Sequence, residues 1–162
     1  RQRPRRQFSN ACNVNPGGNM SKDERGRAPR RGEPYLDEPE AKPFWAACRE
    51  HKLTAQRCSS CKRIFGFPPQ ALCPHCLATK HEWVTLSGKG TVYSHIAYHR
   101  SWHPAYQDKI PYNVSLVDLQ EGGRLVTNVI GCAPEEVKIG MPVEIVFEDF
   151  PEYTVPKFRP VK

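Results

Sequence analysis

A mainly β fold follows from three features of this 162-residue sequence: two Cys-x2-Cys pairs eleven residues apart, a period-two alternation of apolar and polar residues that sets in after Trp83, and Gly/Pro punctuation that cuts the alternation into four or five short runs. The expected architecture is an N-terminal helix and a rubredoxin-like four-cysteine ribbon, followed by a small antiparallel barrel of the OB type. The expected boundaries are residues 1–33 for a basic arm without a fold, 34–82 for helix plus ribbon, and 83–162 for the barrel.

At 18.5 kDa the chain suits one ordinary domain and excludes large barrel enzymes and doubly wound cofactor domains. The hydrophobic share of 38%, with 16 prolines and 11 glycines, implies that part of the length is not core. The net charge of +7 is unevenly held. Residues 1–31 carry nine Lys/Arg against Asp23 and Glu24, while the other 131 residues balance, with 15 basic against 15 acidic side chains. The arm has almost no apolar periodicity and cannot bury enough surface to offset its ordering entropy, so it is expected to be disordered. A nucleic-acid tail and a transit segment both fit its arginines. Met20-Ser21-Lys22-Asp23-Glu24, however, reads as a protein start, and residues 1–19 are expected to precede the natural initiator. No apolar run is long enough to cross a bilayer and none of signal-peptide length stands near the start, which leads to the expectation of a soluble, cytoplasmic protein.

The first element is expected after Pro34. Phe44, Trp45 and Cys48, with Ala46 and Ala47 between them, recur at helical spacing; Asp37 and Glu38 lead in, and Arg49, His51 and Lys52 come after, the polarity a helix dipole favours. Pro43 confines the regular part to the residues after it. Phe44 and Trp45 read as core against the next module, or else as anchors for a partner.

The next element is the ribbon. Cys58-Ser-Ser-Cys61 and Cys73-Pro-His-Cys76 each present two sulfurs from one turn, and the eleven-residue spacer allows a hairpin to bring the turns together. Four thiolates in that pattern point to a zinc ribbon with one zinc ion, an iron site being the minor alternative. Four protein sulfurs leave no open coordination position, so the metal is expected to be structural. His75 reads as an exposed turn residue, and Cys12, Cys48 and Cys132 as free thiols. Lys42, Arg49, Lys52, Arg57, Lys62 and Arg63 stand against Glu50 alone over residues 42–63. That patch suits the phosphates of a nucleotide-bearing cofactor, or equally a solvated face balanced by the acidic stretch 135–152.

The barrel strands come last. Val92 to Tyr98 alternates, Val114 to Leu119 is mostly apolar, Leu125 to Ile130 lies beyond a tight turn at Gly122-Gly123, Val143 to Phe147 alternates, and Tyr153 to Phe158 adds a last short strand. Asp118 and Arg124 flank the Gly-Gly turn as a cross-strand pair. His95 is expected on the same strand face as Tyr93.

Taken as a set, the helix with Phe44-Trp45, the Cys58/Cys61/Cys73/Cys76 ribbon, the Gly88-Lys89-Gly90-Thr91-Val92-Tyr93-Ser94 strand entry, Pro111-Tyr112, Leu116-Val117-Asp118-Leu119, Gly123-Arg124-Leu125 and Ile139-Gly140-Met141-Pro142-Val143 resemble the acyl-CoA-associated zinc-ribbon and OB-fold proteins known as domain of unknown function 35. The resemblance covers roughly residues 35–158. It implies an accessory, non-catalytic subunit that complexes with a thiolase-superfamily enzyme (a thiolase, acyltransferase or retro-aldolase) and helps hold or channel a CoA thioester during C–C bond formation or cleavage.

With that reading, Lys62 and Arg63 are expected near the CoA phosphates and Phe65 and Phe67 along the pantetheine. The connection from His99 to Pro111, with Trp102, His103 and Tyr106, has the aromatic density of a partner interface. The chain has no G-x-S-x-G, H-E-x-x-H or P-loop motif, so no catalytic residue is assigned. The rival reading is a single-stranded nucleic-acid module stacking bases on Phe65, Phe67, Tyr93 and Tyr98. It is disfavoured because the barrel strands carry more acid than base, and no membrane partner is expected.

Overall fold

Pro43 sits in the first turn of helix α1, Lys42–Arg49, where its missing N–H costs nothing. In the computed structural model, which describes residues 36, 38–100 and 108–161, this helix buries Phe44 and Cys48, four residues apart on one face. The acidic lead-in ends before the helix: its first turn holds no carboxylate, and Glu38 contributes its main-chain carbonyl, which accepts from the N–H groups of Ala41 and Lys42. Only Arg49 remains as a dipole-matched charge in the last turn.

Strands β1 (Thr54–Cys58), β2 (Ile64–Phe65) and β3 (His81–Thr85) form an antiparallel sheet in the order β2-β1-β3. The sequence reading anticipates only a hairpin here; β3 is added because Thr54 to Cys58 finds a full-length partner in His81 to Thr85. Gln56 is fully buried on β1 and its amide is satisfied: Nε2 donates to the Gln70 carbonyl (2.9 Å) and lies 3.0 Å from His81 Nε2, while Oε1 accepts from the Gln70 N–H (2.9 Å). That amide ties the 66–72 loop to the sheet. Gly66, at φ +97°, passes so close that a Cβ would stand 2.5 Å from Gln56 Oε1.

Strands β4 (Lys89–Tyr98), β5 (Tyr112–Leu119), β6 (Arg124–Thr127), β7 (Pro142–Asp149) and β8 (Thr154–Pro160) form the second sheet, in the order β6-β5-β4-β7-β8, with every pair antiparallel. The sheet curls into an OB-type half-barrel whose edges meet where Val129, just past β6, bridges Phe158 of β8 in parallel. Asn113, 4% exposed, holds that seam: its Nδ2 donates to the Val129 carbonyl (2.6 Å), and its Oδ1 accepts from Val129 N–H (2.8 Å) and Ser115 Oγ (2.9 Å).

One core serves both sheets. Phe44 and Cys48 of α1 and Leu53 and Ala55 of the ribbon pack in the same buried cluster as Val92, Val117, Leu125, Val129, Val143 and Phe158 of the barrel. The ribbon's private cluster is small: Cys58, Phe65 and Cys73, with Cys61 and Ala78 against it.

Two local readings change. A β-bulge between Val92 and Ser94 breaks the alternation, so His95 pairs with buried Ser115 and turns to the inner face, away from the side Tyr93 presents. The β5–β6 connection is longer than a two-residue turn: Gly122 N–H donates to the Leu119 carbonyl and both glycines take positive φ (101° and 85°). Asp118 and Arg124 do form the expected cross-strand ion pair, and the guanidinium also lies 3.5 Å over the Tyr93 ring. Trp102, His103 and Tyr106 lie outside the described residues, as does the arm at 1–33.

Candidate functional site

The two knuckles converge. Each chain reversal places the residue after its second cysteine, Lys62 and Leu77, at positive φ (61° and 60°). The Sγ atoms of Cys58, Cys61, Cys73 and Cys76 lie within 4.8 Å of one another, with Cys58–Cys76 at 3.5 Å and Cys61–Cys73 at 3.6 Å. A tetrahedral ion with sulfurs at about 2.3 Å requires sulfur–sulfur edges of about 3.8 Å, so the donor set fits a thiophilic ion such as zinc. The main chain prepares this charge. Amide N–H groups of Cys61 and then Ser60 pull the Cys58 thiol down to about 6 against the effect of burial. The Ala78 amide acts the same way on Cys76, but the shared proton with Cys58, together with burial, pushes that thiol up to about 11. By contrast the Cys48 thiol is raised to about 12 by burial, and Cys132 is raised by burial and the nearby Glu136, so at both positions the surroundings disfavour the thiolate.

The basic patch does not form a single anion site. Arg49 Nη2 donates to the Pro151 carbonyl, Lys52 pairs with Glu50, Arg57 with Glu82, and Arg63 Nη1 donates to His75 Nδ1 at 3.0 Å. Within the acidic stretch 135–152, Glu144 pairs with Arg159 and Glu148 with Lys157, while Glu135 lies 3.3 Å from His99 Nε2 and Asp149 3.0 Å from His51 Nε2. Lys62 has no side-chain partner among the described residues and stands exposed on the first knuckle.

His51 joins helix and barrel. Its ring stacks on Phe147 (5.1 Å, 4°) and its Nε2 donates to both oxygens of Asp149 at 3.0 Å, while Thr154 Oγ1 donates to Asp149 Oδ1 at 2.7 Å. These donors, His51 first, hold the Asp149 carboxyl below its ordinary value near 3.8. A carboxylate depressed in the folded state stabilises above its unfolded pKa, and the benefit is lost as pH falls through the folded pKa. Asp149→Asn should therefore lower the unfolding temperature most at neutral pH, with the gap to wild type closing as the pH falls through the ordinary carboxylate range and below it; thermal melts across pH measure it. Both side chains are more than half exposed (54% and 60%), so the shift should be small.

The second feature is an apolar groove of about 460 Å³ where helix, ribbon and barrel meet, lined by Phe44 and Trp45 of α1, Phe67, Pro68 and Pro69 of the ribbon loop, and Val114, Leu125, Val126, Thr127, Asn128, Val155 and Pro156 of the barrel. Its volume lies in the range of small-molecule sites. Phe44 packs edge-on against Trp45 (5.0 Å) and Phe67 (6.2 Å), so its back wall is an aromatic cluster. Of the four ribbon residues singled out for a CoA thioester, Phe67 lines this groove. Phe65 is 5% exposed and packs with Cys58 and Cys73 and edge-on to His81, which leaves it no face for a ligand. Lys62 and Arg63 lie on the knuckle side. Sequence reasoning did not reach Pro68, Val126, Val155 or Pro156: no motif marks them, and only the curl of the sheet brings β6 and β8 to the helix.

Known proteins share this design. The rubredoxin-like zinc ribbon domain of ChsH2 matches residues 45–82, and the C-terminal OB-fold domain of ChsH2 matches residues 83–148. A probable enoyl-CoA hydratase alpha subunit of Thermomonospora curvata is 46% identical over 119 residues, 72% of this chain and 36% of that protein. A 3-oxo-4,17-pregnadiene-20-carboxyl-CoA hydratase alpha subunit of Mycobacterium tuberculosis is 31% identical over 117 residues, again 36% of its length. The chain thus spans about a third of those two subunits. A DUF35 domain-containing scaffold protein of Methanocaldococcus jannaschii is 36% identical over 110 residues, 67% of this chain and 77% of that one. Among solved structures, a chain of the Ltp2-ChsH2(DUF35) aldolase superposes with a TM-score of 0.69 at 41% identity, covering 79% of this chain and 98% of that chain. A Sulfolobus solfataricus protein of the DUF35 family, 21% identical with a TM-score of 0.56 over 76% of this chain and 87% of that one, shares the fold. With ribbon and OB matches running without a break from Trp45 to Glu148, and with a scaffold relative covered over most of its length, this chain belongs to the DUF35 family in its ChsH2 form.

Proposed function

We propose that this protein is an accessory subunit of a hetero-oligomeric enzyme acting on CoA thioesters, in which a thiolase-superfamily partner (thiolase, acyltransferase or retro-aldolase) supplies the catalytic groups. The observation that carries this reading is the 41% identity, over nearly the whole of that chain, to the subunit in the Ltp2-ChsH2(DUF35) aldolase. The hydratase alpha subunits point to the same substrate class by name. Cys58, Cys61, Cys73 and Cys76 hold one zinc ion, which fixes the ribbon against the helix and takes no part in chemistry. The acyl-CoA lies at the groove, with Phe67 along its apolar part and Lys62 and Arg63 toward its phosphates. The segment with Trp102, His103 and Tyr106 contributes to the partner interface.

Purification of the tagged chain with its native partners under mild conditions is expected to recover a thiolase-superfamily protein in stable ratio, identified by mass spectrometry, with CoA-thioester turnover in the complex and none in either protein alone. Turnover by the isolated chain, or salt-steep binding of single-stranded oligonucleotides by residues 32–162, overturns the reading.

A further inference from the structure

We infer that the slot between β6 and β8 binds the pantetheine arm of the CoA thioester as an extended, strand-like chain, its two amides pairing with the outward main-chain groups of Arg124 and Val126. The inference deepens the CoA reading above and rests on it.

Hydrogen-bond phase decides which main-chain groups of β6 are open. Leu119 N–H donates to the Gly123 carbonyl (3.1 Å), which makes 119 and 123 a hydrogen-bonded pair. In an antiparallel ladder such pairs alternate, and the register sets Val117 opposite Leu125 and Ser115 opposite Thr127. Leu125 and Thr127 therefore spend their main-chain groups on β5, and Arg124 and Val126 direct theirs away from the sheet. The same phase continues past the strand: the Asn128 carbonyl accepts from Phe158 N–H (3.0 Å) and Ile130 N–H donates to the Phe158 carbonyl (2.7 Å). Strand β8 thus takes up the outward groups at 128 and 130 and leaves those at 124 and 126.

The chemistry of β8 explains why the seam stops. Phe158 faces the seam, so the next seam-facing position back along β8 is residue 156, which is proline and has no N–H to give. Its carbonyl is already taken by Thr127 Oγ1 (3.0 Å). The ladder cannot continue, and the edges part into the slot, where Val126 is 62% exposed.

The free edge offers one short stretch of donor and acceptor between apolar walls of Trp45, Phe67, Val155 and Pro156. A strand-adding peptide needs a longer run of open edge than two alternate residues. A pantetheine arm matches better: it carries two secondary amides a short distance apart in an otherwise apolar chain, so main-chain pairing satisfies its polar groups while its methylenes and geminal methyls meet aromatic and proline surface.

The test is amide-resolved NMR of the full chain with S-butanoyl-pantetheine, its doubly N-methylated analogue, octanoate, and butanoyl-CoA as probes. S-butanoyl-pantetheine is expected to shift the Arg124 and Val126 amides and the Trp45 indole in a saturable way, and N-methylation to weaken binding at least tenfold. Equal binding of the N-methylated analogue, or octanoate shifting the same amides to the same extent, overturns the inference, as does an extended apolar peptide that binds β6 where pantetheine does not. Butanoyl-CoA shifting other residues with Val126 silent overturns this subsite and leaves the CoA reading standing. Absence of any shift with butanoyl-CoA, in the chain and in its complex, removes both.

Discussion

Cys61→Ser should yield a protein without bound zinc, largely insoluble, whose helix-ribbon module does not fold. The ribbon's private cluster holds only Cys58, Phe65 and Cys73 as buried residues, and two of those belong to the four-sulfur cluster. So little apolar surface cannot offset the ordering of about 30 residues, whereas a structural zinc contributes on the order of 10 kcal/mol to folding. The damage should spread, because Leu53 and Ala55 of the ribbon pack in the barrel's own core. Cys132→Ser is the matched control: that thiol is half-buried, lies outside the four-sulfur cluster, and should leave metal content and melting unchanged. Metal analysis, far-UV circular dichroism and solubility report the outcome. Soluble wild-type protein with less than about half an equivalent of zinc, and no iron in its place, would remove the metal from the account.

Asn113→Ala should be the most damaging single change in the barrel. The side chain is a two-way clamp, donating to the Val129 carbonyl and accepting from the Val129 N–H, so alanine strands both main-chain groups at a residue that is 1% exposed. Each buried, unsatisfied group costs about 1–3 kcal/mol, and the Ser115 hydroxyl loses its acceptor as well, giving an expected loss of about 3 kcal/mol with zinc content preserved. Denaturant unfolding measures it. A loss below about 1 kcal/mol would mean that solvent or a rearranged seam satisfies Val129 instead. Because Val129 carries the bridge that closes the half-barrel beside the groove, the variant should also weaken any groove ligand.

The strands were legible where one face is buried. In β5 exposure alternates residue by residue from Tyr112 to Leu119, and period-two patterning reads that directly. The same logic failed at Tyr93, because a bulge adds one residue and flips every side chain beyond it; His95 moved to the inner face for that reason. Strand β3 was missed because His81 to Thr85 has no fully buried face of its own and becomes a strand only by pairing with β1. Phe65 and Phe67 look alike in sequence, two residues apart on the same hairpin, yet one fills the ribbon interior and the other lines the groove. Two prolines come directly after Phe67, and the chain has already left strand β2 there, so strand alternation no longer says which way the ring points.

The sequence by itself determined the four-cysteine cluster and the order of helix, ribbon and barrel. Four cysteines at fixed local spacing make two knuckles whatever surrounds them, and Gly/Pro punctuation bounds the strands through backbone geometry, which is local. Tertiary structure alone decided the groove and its open edge. Val126, Pro156 and Trp45 are separated by 30 or more residues, and they are united by the curl of one sheet, halted where a proline in β8 has no N–H to offer the facing strand. A hydrogen-bond phase that leaves two residues unpaired is a property of register, and register between distant strands is not written at any one position of the chain.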